Sequence, residues 1–368
     1  MQSEIQLAHI ICGTRPELIK ILPILDILKN NNLFITKYVH SGQHSSLFDD
    51  TAYALGFTPD FRLQQADANG ELAKLTSILI SRISAHLKCE NPDIVVVHGD
   101  TATSLCAAIC AAQKPLPIVH VEAGRRTFDK TSPFPEEINR RIISQLADLH
   151  VVTDNIGKSN LEAEGISLDR IFSIKNPLPH SIKKVSSRTI FDNRGVEKSV
   201  LCTFHRRENL GKNLDIIINC IRNLAQLFKE VNFKIIEHPN PQILSQIRKL
   251  SKNTKNVTRI SSMPYDNFLC EVINSTTVLT DSSGVFEECG ILNVPAVSLR
   301  TKVENCFTQR ENLRHINPQD SMLETKLVDF LKFNIDLISM KKIAYDETSF
   351  EESVVNAFNG VKNYLNKI

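Results

Sequence analysis

Short, continuous runs of β-branched and apolar residues alternate with longer amphipathic stretches along nearly the whole chain, and this alternation restricts the fold more than any other feature. In the first half the runs are LAHIICGT (7–14), FITKYVHS (34–41), DIVVVHGD (93–100), PIVHVEAG (117–124), HVVTD (150–154) and IFSIKN (171–176). In the second half they are SVLCTFH (199–205), NFKIIEH (232–238), VTRISS (257–262), TVLTDS (277–282) and PAVSLR (295–300). Strands that are apolar throughout are those buried on both faces, as in parallel sheets covered by helices. Pro16 and Pro135 stand where helices are expected to open, ahead of ELIKILPILDILKN and EEINRRIISQLADL. Residues 181–198, SIKKVSSRTIFDNRGVEK, are charged, Ser-rich and aperiodic, which reads as a linker. The expected class is α/β, with two doubly wound Rossmann-like domains at 1–182 and 190–345 and a ligand cleft between them.

Ligands of such sheets bind beyond the carboxyl ends of the strands. Nearly every run here ends in a small, polar loop: GTRPE (13–17), SGQH (41–44), HGDT (98–101), VEAGRRT (121–127), HRREN (205–209), HPNP (238–241) and DSSG (281–284). Each alone is compatible with an ordinary strand-to-helix turn. DSSG closes a strand and opens the helix VFEECGIL, a placement that suits an anion at a helix N-terminus. Arg15 and His205 are further candidate donors. GTRPE is not the dinucleotide fingerprint GxGxxG, and GxxxxGK[ST] is absent, so an NAD site and a P-loop are not supported. Asp100, Glu122 and Glu136 end the third strand, end the fourth and begin the following helix, a set suited to proton transfer. The competing reading gives Glu136 and Glu137 a helix-start preference and pairing with Arg140 and Arg141. That reading does not reach Asp100 or Glu122. His205 and His238 admit a ligand role or a structural one. Phe268, in an amphipathic helix, reads as core on its own residues.

Composition narrows the partners. The 368 residues carry a net charge of +2, which gives no reason to expect nucleic acid or an anionic membrane. No apolar stretch approaches the roughly 18 residues of a membrane-spanning helix, and MQSEIQLAHIICG lacks a basic n-region. The nine cysteines show no CxxC or Cys/His metal spacing. A cytoplasmic enzyme without a metal is expected.

In this order the loops resemble the UDP-N-acetylglucosamine 2-epimerase family, specifically its bacterial non-hydrolysing branch. GTRPE, SGQH, VHGDT (97–101), HVEAGRRT (120–127), SPFPEEINRR (132–141), HRREN, HPNP and TDSSGVFEE (280–288) carry the resemblance, over residues 7 to 305. It implies the GT-B fold, a last helix (350–368) that returns to the first domain, a homodimer, a UDP-N-acetylhexosamine substrate, no cofactor, and a place in capsule or cell-envelope polysaccharide biosynthesis. It implies that Glu122 and Glu136 are acid/base carboxylates, with Asp100 and His205 also catalytic. Arg15, Lys20, Arg140, Arg206, His238, Phe268, Ser282, Ser283, Gly284 and Glu288 would bind substrate. Of these, Phe268 would pack on uracil, Ser282 would hold the diphosphate and Glu288 the ribose. Gln43 and His44 would belong to an allosteric site.

The chemistry requires such groups. The C2 proton of an N-acetylhexosamine becomes removable only as UDP leaves C1, so donors must stabilise the diphosphate and carboxylates must handle protons on both faces. The intermediate is 2-acetamidoglucal with bound UDP. A hydrolysing epimerase, a GT-B glycosyltransferase and a non-enzymatic nucleotide-sugar sensor are the alternatives, and C2 proton exchange separates the epimerases from the other two. Four positions depart from the family pattern. Ser283 replaces a glycine, Lys175 stands in KNP for the glycine of GNT, KVENCF replaces TERPE near 301–307, and Asn69 aligns with the arginine that holds an activating UDP-sugar. These changes predict weakened allosteric activation or a different sugar. The expected rate curve against UDP-N-acetylglucosamine is close to hyperbolic, and strong sigmoidicity overturns weakened activation.

Overall fold

The computed structural model describes residues 6–44, 46–186, 198–204, 206, 209, 211–237, 241–303, 312–335 and 347–367. The strands are β1 (Leu7–Cys12), β2 (Ile35–His40), β3 (Phe61–Arg62), β4 (Ile94–His98), β5 (Ile118–Val121), β6 (Leu149–Val152), β7 (Ile171–Ser173), β8 (Ser199–Thr203), β9 (Asn232–Ile236), β10 (Val257–Ile260), β11 (Thr277–Thr280), β12 (Ala296–Leu299) and β13 (Leu313–Ile316). The helices are α1 (Arg15–Asn30), α2 (Ser46–Leu55), α3 (Leu72–Glu90), α4 (Ala102–Ala112), α5 (Glu136–Leu146), α6 (Asn155–Ala163), α7 (Leu178–Ser186), α8 (Lys212–Leu227), α9 (Pro241–Asn253), α10 (Tyr265–Asn274), α11 (Ser283–Ile291), α12 (Leu323–Ile335) and α13 (Glu347–Leu365).

The chain divides into two compact units, with the boundary at Ser181/Ile182 inside α7 and with α13 in the first unit. The first contains a sheet of order β3-β2-β1-β4-β5-β6-β7, the second a sheet of order β10-β9-β8-β11-β12-β13. Every pairing is parallel. All the strands expected from the apolar runs are present. β3 and β13 are additional, and both are edge strands. A two-residue strand has no readable period, and β13 (LRHI) is half exposed, so neither shows the continuous apolar run of a central strand. Among the described residues no helix is long and apolar enough to cross a membrane.

The central strands are buried on both faces, as their composition requires. In the first unit Ile11, Val39, Val95, Val97 and Ile118 share one core with Leu79, Ile83 and the small residues of α4. In the second, Val200, Cys202, Leu279 and Val297 pack with Leu214, Ile217, Leu327 and Phe330. The described cysteines are free; Cys12, Cys106, Cys110, Cys202, Cys220 and Cys289 are buried and Cys89 is exposed.

Pro23 lies inside α1 and has no N–H for the carbonyl of Ile19; the buried Ser181 hydroxyl of α7 donates to that oxygen instead. On α13, Phe358 meets Phe34 edge to face at 6.3 Å. Gly360 is needed there, because a Cβ would lie 2.4 Å from the Phe172 ring. Lys175 also reaches this helix: its backbone N–H donates to Ser353 Oγ at 3.0 Å and its ammonium bonds the Ser349 hydroxyl. This departure from the family pattern therefore serves a helix contact.

Glu17, 1% exposed, joins two loops. Oε2 accepts the backbone N–H groups of Gly13 (2.9 Å) and Thr14 (2.8 Å), at the start of α1. Oε1 receives the hydroxyls of Thr101 (2.8 Å) and Ser104 (3.0 Å), at the start of α4. Gly13 cannot be replaced in this arrangement, since a Cβ would stand 2.0 Å from Ser41 Oγ. Glu17→Ala strands several buried donors, and urea unfolding should show a loss of about 3 kcal/mol.

Candidate active site

Strand order reverses between β1 and β4 in the first sheet, so the loops after these strands flank the crevice where such sheets hold ligands. Glu17 fixes both loops. Lys20 is three residues further along α1, and its Nζ lies 2.5 Å from Glu122 Oε1. Glu122 immediately follows β5 with φ 60, a left-handed conformation unusual for a side chain of its size. Arg125 Nη2 is 3.1 Å from the same Oε1, and His98 Nε2 is 3.6 Å from Oε2. Burial works to raise the Glu122 pKa, but the cations of Arg125 and then Lys20 overcome it. The carboxyl is held well below the usual range and is ionised. His98 is lowered to about 4 by burial, with Glu122 pulling the other way, so its ring is neutral.

Asp100 follows β4. Its carboxylate pairs with the Arg140 guanidinium, and its carbonyl accepts Asn139 Nδ2 at 2.8 Å. Glu136 is half-buried at the first position of α5. It lies one turn before Asn139 and Arg140 and so shares their face of the helix. Glu137 differs: it is fully buried, its carboxylate accepts the backbone N–H groups of Thr127 (3.0 Å) and Phe128 (3.1 Å), and it lies 3.6 Å from Arg140. The simple i,i+4 pairing of Glu137 with Arg141 is replaced by a loop-fastening role, because the 122–135 loop folds back over the start of α5. Pro135 is the residue preceding α5, not its first position, and Arg15, half-buried, takes the first position of α1 ahead of Pro16.

The two arginines of VEAGRRT separate in the same way. Arg126 is 1% exposed and makes a two-pronged contact with Glu164, both distances 2.7 Å. Arg125 turns to Glu122. Sequence reasoning gave no site role to Arg125, His98 or Glu137, although all three lie inside recognised motifs (HVEAGRRT, VHGDT and SPFPEEINRR); for Arg125 and Glu137 the partner is chosen by an irregular loop with no period to read.

Gln43 and His44 lie in the loop after β2. Gln43 Oε1 accepts the backbone N–H of Thr103 at 3.1 Å and its hydroxyl at 2.7 Å. The N–H of His44 donates to Gly13 O at 3.0 Å. Asn69 is exposed with φ 49.

In the second sheet the order reverses between β8 and β11. Asp281 is fully buried; its Oδ2 accepts Arg206 N–H and Asn209 Nδ2, each at 3.1 Å. Ser282 caps α11, its Oγ accepting from Val285 N at 3.4 Å. Ser283, the residue in place of glycine, takes the guanidinium of Arg300 on its hydroxyl, with Arg206 Nη2 at 3.4 Å. The extra Cβ thus brings a hydroxyl that gathers two arginines at a helix N-terminus. A Cβ at Gly284 would meet only Ser282 Oγ at 3.9 Å, so packing does not demand that glycine. Glu288 is buried and accepts the Tyr265 hydroxyl at 2.9 Å. Phe268 is 4% exposed on the same helix as Tyr265. His205 and His238 lie outside the described residues, as does most of KVENCF, from Glu304 onward.

Two doubly wound Rossmann-like units, one with an ionised glutamate between two cations and the other with arginines at a helix N-terminus, define an α/β enzyme of the GT-B-like class. Comparison with known proteins gives the family. The profile described as UDP-N-acetylglucosamine 2-epimerase matches residues 26–358. The UDP-N-acetylglucosamine 2-epimerase of Bacillus subtilis is 34% identical over 296 residues, covering 79% of this chain and 78% of that protein. Among solved structures, the S. aureus MnaA–UDP complex has a TM-score of 0.85 at 28% identity, covering 99% of this chain and 98% of that one. The Neisseria meningitidis UDP-GlcNAc 2-epimerase bound to UDP-GlcNAc has a TM-score of 0.82 at 28% identity, covering 98% and 100%. The chain belongs to the UDP-N-acetylglucosamine 2-epimerase family, a family of isomerases.

Buried neutral histidines set the acid stability. Burial lowers His120 to about 3 and His150 to about 4, as it does His98 to about 4. A depressed histidine pKa means that the unfolded chain binds more protons. This stability is fully present above the ordinary value of 6.5 and is lost as pH falls from there toward 4. Urea midpoints should be level above pH about 7 and fall steadily below it, and His120→Gln should make that fall shallower.

Proposed function

We propose that this protein is a non-hydrolysing UDP-N-acetylglucosamine 2-epimerase, interconverting UDP-GlcNAc and UDP-ManNAc in a UDP-N-acetylhexosamine pathway. The first unit supplies the proton chemistry and the second holds UDP. The observation that carries the reading is the ionised Glu122 beside Lys20, Arg125 and His98 at the reversal point of the first sheet. The UDP and UDP-GlcNAc bound in the two solved relatives support the choice of substrate.

In the elimination step the C1–O bond breaks and UDP leaves with the electron pair. A carboxylate takes the C2 proton, and the C2–H electrons become the C1=C2 bond of 2-acetamidoglucal. Arg206 and Ser282, with the α11 N-terminus, stabilise the departing diphosphate. UDP then re-adds at C1 while a proton reaches C2 from the opposite face. Glu122 starts ionised and accepts the proton; Glu136, on the helix face of Asn139 and Arg140, donates on the other side. The pair Asp100–Arg140 holds that helix start in place. His205 assists at the diphosphate. Glu288, steadied by Tyr265, takes the ribose hydroxyls, and Phe268 lies at the uracil. A weak base suffices, because C2–H is acidic only once C1 carries positive character. No cofactor takes part in these steps.

Proton NMR of the purified protein with UDP-GlcNAc in D2O tests the reading. The expected result is UDP-ManNAc with deuterium at C2. Free ManNAc and UDP would assign the protein to hydrolysing epimerases, and no exchange would remove the epimerase reading. Glu122→Gln should lower the exchange rate about a hundredfold or more.

A further inference from the structure

Both cations at Glu122 arrive at one oxygen. Lys20 Nζ and Arg125 Nη2 lie 2.5 and 3.1 Å from Oε1. Oε2 faces His98 Nε2 at 3.6 Å, beyond hydrogen-bond length, and faces Gly99, where a Cβ would stand 3.4 Å away. His98 is 3% exposed, and neither ring nitrogen has a hydrogen-bond partner among the described residues. The two oxygens of this carboxylate are therefore unlike: one is saturated with positive charge, and the other lies beside a neutral ring and a residue with no side chain. The charged and titratable groups facing Glu122 are Lys20 from α1, His98 from β4 and Arg125 from its own loop, with Asp100 acting on His98 from the next loop.

We propose that Arg125 is a positioning residue for Glu122: with Lys20 it fixes Oε1 and leaves Oε2 as the oxygen that exchanges the C2 proton. The inference rests on the epimerase reading and specifies which oxygen reacts. Lys20 alone is a point charge on a flexible stem and is satisfied by either oxygen, so the carboxylate would rotate. A planar guanidinium on the same oxygen removes that freedom. The loop enforces the meeting: the chain takes left-handed conformations at Glu122 (φ 60) and Gly124 (φ 81), and the neighbouring Arg126 is clamped by Glu164. Gly124 itself is fixed, since a Cβ there would lie 2.1 Å from Gly157 O. Oε2 takes the C2 proton as the C1–O bond breaks, and with one oxygen already neutralised it releases that proton readily on the return.

The test uses the full chain with Arg125→Leu and Arg125→Lys, each in the wild-type and Glu122→Gln backgrounds. It reads kcat and KM for UDP-GlcNAc, C2 deuterium uptake and the urea midpoint. Arg125→Leu should lower kcat and deuterium uptake about tenfold to a hundredfold with KM within about twofold. Arg125→Lys should recover part of the rate. Arg125→Leu should also lower the midpoint in the wild type but not beside Glu122→Gln, where it relieves a cation pair. A raised KM with unchanged kcat makes Arg125 a substrate contact and overturns the proposal. An equal fall of midpoint in both backgrounds overturns it as well. No C2 exchange by the wild type removes the epimerase reading and the proton assignment with it, while the midpoints still decide whether Arg125 holds Glu122.

Discussion

The buried carboxylate of Glu17 is the joint on which the first unit's site depends. Burial raises its pKa, and the donors gathered around it from the starts of α1 and α4 work against that cost. Because one oxygen serves the loop after β1 and the other the loop after β4, the two helix starts cannot drift apart. Lys20 then emerges one turn along α1 at the height of Glu122, and Asp100 is held between Thr101 and the start of α5. A loop that reads as an ordinary strand-to-helix turn at the level of sequence thus acts in the fold as a tie across the reversal point of the sheet.

The balance of charge at Glu122 follows from that geometry. A buried carboxyl left alone would be neutral; here cations outweigh burial and the group is ionised. The same arrangement makes it a weak base, which suits a reaction whose proton is acidic only while the leaving group departs. The left-handed backbone at Glu122 carries a conformational cost of about 1–2 kcal/mol, met by the contacts that hold the loop. Phe128, also left-handed and 59% exposed, is held by Glu137 through its backbone N–H.

In the second unit the departure from the family pattern at Ser283 has a physical account. Its hydroxyl gathers Arg300 and Arg206 at the start of α11, where the helix already favours negative charge. The side chain supplies organisation where a glycine would supply only room. The departure at Lys175 falls elsewhere, on the contact with α13.

The α/β class, the order of central strands and helices, and the concentration of polar loops at the strand ends were legible in the sequence, because strands buried on both faces must be apolar throughout and βα alternation forces parallel sheets. Edge strands β3 and β13 were not, since two to four half-exposed residues have no period. Strand-end placement singled out Glu122 and Asp100, and the family resemblance Lys20, but neither could separate Arg125 from Arg126, or the fastening role of Glu137 from the half-buried position of Glu136. Those distinctions depend on where an irregular loop places a side chain relative to residues far along the chain. Only the tertiary structure fixed them, because the burial and charge that decide each role are supplied by neighbours from other strands and helices.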